Sequence, residues 1–286
     1  MNDNKPVIIY CTTGMNSAIY TIWSIRSLKK FNYEPIEVIV SSEDEKLFIQ
    51  EHLPGQKCYV SNAQLGSFRS FSFKAFTLSK YKPDHEGRDI VVCDADVLFV
   101  ADPTPLFSRF AARFWFHKLY PVDLADYDLK PKDVSPSRWS FLTLLHYREM
   151  TGHDDRPPWI LNSGLFMIKC EWYDDLMRQW AEGIQELGPD LMLNDQSILT
   201  MMAYKSKLEP VWEREYGYSF AVHYLSTLKD RLIVEAERNG FDHDNLREML
   251  VASKPEVRWS GGLLSICNRA LAKLRRMLTG ANLKEE

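Results

Sequence analysis

Ile90-Val91-Val92-Cys93-Asp94-Ala95-Asp96-Val97-Leu98-Phe99 decides how this chain folds and where its chemistry sits. The leading apolar run reads as a buried strand, and the two aspartates one residue apart read as the turn that ends it. Two carboxylates at the mouth of an apolar strand are costly unless their charge is compensated. A divalent cation is the simplest compensation. Oxygen ligands of this kind suit Mg²⁺ or Mn²⁺ shared with substrate phosphates, which points to a nucleotide-diphosphate ligand. Taken alone the pair says little, because aspartates often follow strands as turn formers. Haloacid-dehalogenase-type phosphatases also carry D-x-D, but need a threonine soon after it. Here Val97-Leu98-Phe99 follows.

Upstream, strand and helix patterns alternate. Residues 7–12 read as a strand, Ser17 to Phe31 as a helix and Glu37 to Val40 as a second strand. An acidic helix start follows at Glu43-Asp44-Glu45. Tyr59-Val60 is a short third strand, Phe71 to Tyr81 a helix, and residues 82–88 a turn-rich insert. Repeated β-α-β units predict a mostly parallel, Rossmann-like sheet flanked by helices, with ligands outside the carboxyl ends of its strands. The D-x-D lies at such an end.

Downstream, residues 101–160 are rich in Pro, Asp and aromatic residues and read as an excursion from the domain, with a helix near Trp139 to Met150. Regular structure resumes with a strand over Gly164 to Lys169 and helices over Trp172 to Leu187 and Asp195 to Lys205. The expected organisation is one domain over 1–262 and an amphipathic helical tail over 263–286. The tail's basic residues Arg269, Lys273, Arg275 and Arg276 leave two readings. Its apolar face packs on the domain or on a second subunit, or the helix lies peripherally on an anionic membrane.

The chain has 286 residues, 45% of them hydrophobic, enough for a sizeable core. A net charge of −4 gives no reason to expect a nucleic-acid partner. The start of the chain lacks the basic and apolar regions of a signal peptide, and no run of eighteen apolar residues occurs. Five cysteines without a C-x-x-C pair read as reduced thiols, and the expected location is cytoplasmic.

Three further segments raise the weight of the aspartate pair. Leu161-Asn162-Ser163-Gly164 is a small polar turn feeding an apolar strand. Leu193-Asn194-Asp195-Gln196-Ser197 is a polar cluster opening a helix. His223 precedes Lys229 by six residues in His223-Tyr224-Leu225-Ser226-Thr227-Leu228-Lys229. Each has a bland reading: a turn, a helix cap, a satisfied core histidine. D-A-D, N-S-G, D-Q and H-x-x-(small)-x-x-K in this order resemble glycosyltransferase family 8, over roughly residues 7–230 as an order-of-motifs estimate.

The resemblance implies a GT-A fold and metal-dependent, retaining transfer of a sugar from a nucleotide donor, UDP-linked in this family, to a glycan or lipid-linked saccharide. It implies Asp94, Asp96 and His223 as ligands of Mn²⁺ or Mg²⁺, and Lys229 on the donor diphosphate. By the same match, Asn162, Ser163 and Gly164 line the donor sugar, and Asp195 and Gln196 stand beside its anomeric carbon. Ala95 lies between the metal ligands. Lys74 matches a lysine near the donor, and Thr12 and Thr13 match the floor under the nucleotide. The family's base-gripping aspartate and tyrosine are Met15 and Ser17 here. Two other readings stand beside this one: a sugar-phosphate nucleotidyltransferase and a non-catalytic nucleotide-sugar binder. The first needs a Gly-rich, basic loop after the first strand, and Cys11-Thr12-Thr13-Gly14-Met15-Asn16 has no basic residue. His117, His146, His153 and Asp154-Asp155 read as acceptor contacts or as solvated loop.

Overall fold

The structure is a computed structural model that describes residues 5–68, 70, 72–83, 87–110, 114–116, 119–135, 138–189, 194–212 and 221–223. The first half runs β1 (Val7–Thr12), α1 (Met15–Lys29), β2 (Ile36–Val40), α2 (Glu43–His52), β3 (Lys57–Val60), α3 (Ser72–Leu78), β4 (Ile90–Cys93) and β5 (Val97–Phe99). Then come α4 (Thr104–Phe110), β6 (Phe114–Phe116), β7 (Leu119–Pro121), α5 (Trp139–Thr151), β8 (Trp159–Leu161) and β9 (Leu165–Ile168). The last elements are α6 (Cys170–Leu187), α7 (Asn194–Lys205), β10 (Pro210–Trp212) and β11 (Ala221–His223).

Seven strands form the central sheet in the order β10-β6-β9-β4-β1-β2-β3. β9 alone runs against its neighbours β4 and β6; the other pairings are parallel. Strands buried on both faces read as continuous apolar runs, which is why β1, β2 and β4 are legible. Alternation along β1 sorts the two layers. Ile8 and Tyr10 pack with Ile19 and Trp23 of α1 and Ile49 of α2. Val7 and Ile9 face the side that holds Phe76 of α3, Leu144 of α5, Trp180 of α6 and Ile198 of α7.

From β1 the chain steps outward through β2 and β3, then returns to place β4 on β1's other side. The crevice between the carboxyl ends of β1 and β4 is thus a topological switch point, where open α/β sheets bind ligands. The turn after β1 is built for close approach. Gly14 has φ 84°, a left-handed conformation open to glycine. Its N–H donates to Glu45 Oε1 at 2.7 Å. Glu45 also accepts from the Ser41 N–H at 2.9 Å, so one buried carboxylate ties the ends of β1 and β2 together. α2 starts where the sequence predicts, capped by the Ser42 hydroxyl accepting from the Glu45 N–H.

The stretch 101–160 differs from its reading as an excursion. Phe114-Trp115-Phe116 forms β6 inside the central sheet, paired with β9 on one side and β10 on the other. Three residues are too few to show a period, and so short an apolar run is not told from a helix segment by periodicity. β7 and β8 make a separate antiparallel pair. His146 lies on α5 rather than in a loop, and His117 falls outside the described residues. So do Lys229 and the predicted tail helix. Among the described residues, no helix is long and apolar enough to cross a membrane.

α6 buries Tyr173, Leu176, Met177, Trp180, Ile184 and Leu187 at helical spacing. Gly183 on this face lets α7 approach: a Cβ there would sit 2.5 Å from Ile198 Cγ2 and 3.0 Å from Met202 Cε. Ile198 is β-branched and stiff, so the clash is not relieved by a rotamer change. Gly183→Ala is expected to lower stability by about 1–3 kcal/mol. Urea unfolding measures this, and an unchanged midpoint would mean that the two helices are not packed this closely.

Candidate active site

β4 delivers the aspartate pair to the switch point. The Asp94 N–H donates to the Gly164 carbonyl at 2.6 Å, and the Val97 N–H closes the turn on the Asp94 carbonyl at 3.4 Å. The chain then re-enters the core as β5, antiparallel to β11, with His223 in register with Val97. The backbone of His223 is therefore opposite the residue after Asp96. Its side chain lies outside the described residues. Among those residues, no group of three His, Cys, Asp or Glu is arranged to hold a metal.

Lys74 is the centre of the buried charge. It stands on α3, whose seven residues are all buried, and is 6% exposed. Its Nζ donates to Asp94 Oδ1 at 2.6 Å, to the Ser163 carbonyl at 2.6 Å and to Ser163 Oγ at 3.3 Å. It also lies over the Trp180 ring, 5.9 Å from the centroid. Burial pulls the ammonium's pKa down, but the Asp94 and Asp195 charges outweigh it and hold it above its ordinary value. The ammonium is thus fixed in its charged form.

Ser163 carries the network onward. Its hydroxyl donates to Asp195 Oδ2 at 2.6 Å. Trp180 Nε1 donates to the Asp195 carbonyl at 2.6 Å, pinning the first turn of α7. Asp195 Oδ1 is buried and has no hydrogen-bond partner among the described residues. Burial raises the Asp195 carboxyl above its ordinary value, against the pull of Lys74 and the Ser163 hydrogen bond. A buried carboxylate oxygen left unmatched is an energetic cost, and such costs gather at functional sites.

The residues predicted from the sequence fall into three groups. Asp94, Ala95, Asp96, Lys74, Asp195 and Thr13 line one cleft of about 190 Å³. Asn162 and Gln196 line a second cavity, of about 440 Å³. Gly164 supports the turn, its N–H donating to Asn162 Oδ1 at 3.0 Å. The third group lies off the cleft. Thr12 is 1% exposed and does not line it, which corrects the expectation that both threonines floor the nucleotide. In a strand alternate residues share a face, so Cys11 reaches the cleft while Thr12 turns to the other face, and Thr13 reaches it from the turn after β1. Burial pushes the Cys11 thiol well up, so it stays protonated. Cys11, Ser17 and Ser70 were not among the predicted site residues, nor was Ser140. The Ser140 hydroxyl donates to Gln196 Oε1 at 3.1 Å, and its carbonyl accepts from Ser197 Oγ at 2.7 Å, joining α5 to α7.

No protein-family profile and no curated protein matches the chain. Solved structures do. The chain is similar to the galactosyltransferase LgtC, crystallised in complex with donor and acceptor sugar analogs. The TM-score is 0.50 and the identity 14%, over 85% of this chain and 99% of that one. It also matches the glycosyltransferase GlyE of Streptococcus pneumoniae TIGR4 with TM-score 0.49 and 14% identity, over 87% of this chain and 64% of that one. Mouse xyloside xylosyltransferase 1 matches with TM-score 0.46 and 13% identity, over 78% of this chain and 98% of that one. At such identities the likeness speaks for architecture: the chain has the mixed α/β fold of GT-A glycosyltransferases, with a mostly parallel seven-stranded sheet flanked by helices.

Proposed function

We propose that this chain is a metal-dependent glycosyltransferase that moves a sugar from a nucleotide-diphosphate donor, UDP-linked by family resemblance, to a glycan or lipid-linked saccharide. The observation that carries the reading is the gathering of Asp94, Asp96, Lys74 and Asp195 in one cleft at the switch point of the sheet. In the reaction, the anomeric carbon exchanges its bond to the diphosphate oxygen for one to an acceptor hydroxyl oxygen. The electron pair of the broken bond leaves with the nucleoside diphosphate, and the hydroxyl proton passes to phosphate or solvent.

The donor set suits Mn²⁺ or Mg²⁺. Asp94 and Asp96 are half-exposed oxygen ligands on the cleft wall, and hard cations take such ligands together with phosphate. His223 is the proposed third ligand. When bound, the ion supplies positive charge to the departing diphosphate, and Lys229 is proposed to add a second. Asp195 has its own part. A sugar leaving its phosphate becomes cationic at the anomeric carbon, and the unmatched oxygen of Asp195 offers a fixed negative charge there. Lys74 holds Asp94 and Ser163 in place for both tasks. Retention of configuration enters from the resemblance.

The test is a thermal-shift series with UDP and other nucleoside diphosphates, with and without Mn²⁺. UDP is expected to raise the midpoint only with the metal, because a ligand of the folded form stabilises it by mass action. Asp96→Asn is expected to weaken this metal-dependent binding at least roughly tenfold, since changing even a residue that only supports a metal ligand costs that much. Equal shifts with and without Mn²⁺, or in wild type and variant alike, would remove the metal-diphosphate reading.

A further inference from the structure

Trp180 is not among the described residues that line the cleft, yet it holds two that are. Its indole N–H donates to the Asp195 carbonyl at 2.6 Å. The Lys74 ammonium lies over its ring, 5.9 Å from the centroid. The ring is fully buried and meets Phe166 of β9 edge-on, with centroids 6.0 Å apart. β9 is the neighbour of β4 in the sheet, so the indole is braced against the strand beside the one that carries Asp94.

Gly183, one turn further along α6, brings Asp195 within reach. Trp180 and Gly183 are three residues apart, as are Asp195 and Ile198 on α7, so each pair shares a helix face. Trp180 meets Asp195, and Gly183 meets Ile198. A Cβ at Gly183 would stand 2.5 Å from Ile198 Cγ2, about 1 Å inside the ~3.5 Å of ordinary carbon contact. Ile198 is fully buried and stiff at χ1, so relief requires α7 to withdraw by a similar distance. A withdrawal of about 1 Å takes the indole bond from 2.6 Å beyond the ~3.2 Å reach of a hydrogen bond. The glycine and the indole therefore set one distance. That distance fixes the backbone of Asp195, whose side chain is tethered by the Ser163 hydroxyl and keeps one oxygen unmatched.

Building on the glycosyltransferase reading, we propose that Trp180 and Gly183 are positioning residues for the transfer step: together they clamp the first turn of α7, so that the unmatched oxygen of Asp195 stands at a fixed depth in the cleft. They act through Asp195, so the clamp bears on transfer and leaves nucleotide binding alone. A displacement of about 1 Å at a reacting centre costs up to roughly 10²-fold in rate, even when the change that causes it lies outside that centre.

The test uses the full chain with Mn²⁺ and a panel of UDP- and GDP-sugars, read as hydrolysis of the donor. A water oxygen bonds to the anomeric carbon, its proton passes to solvent, and the nucleoside diphosphate leaves with the electron pair. Trp180→Phe keeps a ring beside Lys74 and lacks the N–H. Gly183→Ala keeps the N–H and forces the helices apart. Each is expected to lower kcat roughly 10–100-fold, with UDP affinity within twofold of wild type, which also shows that each variant is folded. The double variant is expected to lose no more than the worse single, since both act through one bond. Ile198→Ala in the Gly183→Ala background removes the colliding carbon and is expected to restore most of the rate. A purely structural role would gain nothing from that further cavity. Unchanged kcat in either single variant, losses that multiply in the double, or no recovery with Ile198→Ala overturns the clamp. Hydrolysis of none of the donors by wild type falls on the glycosyltransferase reading, and the catalytic role of the clamp falls with it.

Discussion

Lys74→Met is expected to lower stability by about 3 kcal/mol and to abolish the proposed sugar transfer. Removing one partner of a buried ionic network typically costs ~3–5 kcal/mol, because the remaining charges stay buried without compensation. The lower end applies here, since the Asp94 side chain is 32% exposed and water can reach it. Asp195, by contrast, is 4% exposed and would keep only uncharged donors, the Ser163 hydroxyl and the Gln196 backbone N–H, beside its carboxylate. The Ser163 carbonyl would also lose its donor. For a chain of this size the expected fall in thermal midpoint is roughly 6–12 °C. The double variant Lys74→Met with Asp195→Asn separates the two consequences. Neutralising Asp195 removes the stranded charge, so part of the lost stability returns while transfer does not. The two effects should be strongly non-additive, because both side chains share Ser163. An unchanged midpoint in the single variant would mean that Lys74 does not hold this network.

Much of this was readable from the chain because burial leaves a pattern. β1, β2 and β4 are continuous apolar runs, and the aspartates stand where β4 stops being apolar. The central sheet was only partly readable. β6 and β10 are three residues each, and their neighbours β9 and β6 are brought in from elsewhere in the chain. Pairing of that kind is decided by tertiary contacts, which local propensity does not record. Lys74 is an intermediate case. A lysine within Ser72-Phe73-Lys74-Ala75-Phe76, in a helix buried on every side, signals a buried partner, though not which one. Thr12 was misplaced for a simpler reason. Within β1 the alternation puts Cys11 on the cleft side and Thr12 on the other face, and Thr13 reaches the cleft only because it follows the strand's end.

The fold explains why these groups converge. Asp94 and Ser163 come from the ends of neighbouring antiparallel strands, linked by the Asp94 N–H to Gly164 carbonyl bond. Lys74 enters from α3 and Asp195 from the start of α7, and both helices pack on the same face of the sheet as α6. Trp180 of α6 touches each: its ring lies beside the ammonium, and its indole N–H holds the Asp195 carbonyl. One aromatic residue thus sets the spacing between the cation and the second carboxylate. A cluster placed by packed elements on a rigid sheet is held more precisely than one carried on loops.

Asp195→Asn is expected to cost the proposed transfer about 10²–10³-fold while leaving the proposed UDP binding nearly unchanged and the fold no less stable at neutral pH. The loss is of the size seen when one preorganised electrostatic group is removed from a reacting centre. The stability side follows from burial. An asparagine keeps an oxygen to accept from Ser163 Oγ, and the Trp180 bond goes to the backbone carbonyl, which the substitution does not alter. Burial raises the Asp195 carboxyl above its ordinary 3.8, so between 3.8 and the raised value the folded state binds more protons than the unfolded one. Stability from this group is therefore greatest at low pH and is lost as pH rises through that window. Asparagine does not titrate. The variant's midpoint relative to wild type should thus climb from pH 4 toward pH 7, which paired thermal melts will show. A relative midpoint that falls over this range would mean that Lys74, rather than burial, governs the carboxyl. Transfer retained within a few-fold would remove Asp195 from the reacting centre. Together the two measurements distinguish a carboxylate kept for stability from one kept, at a cost to stability, for its charge.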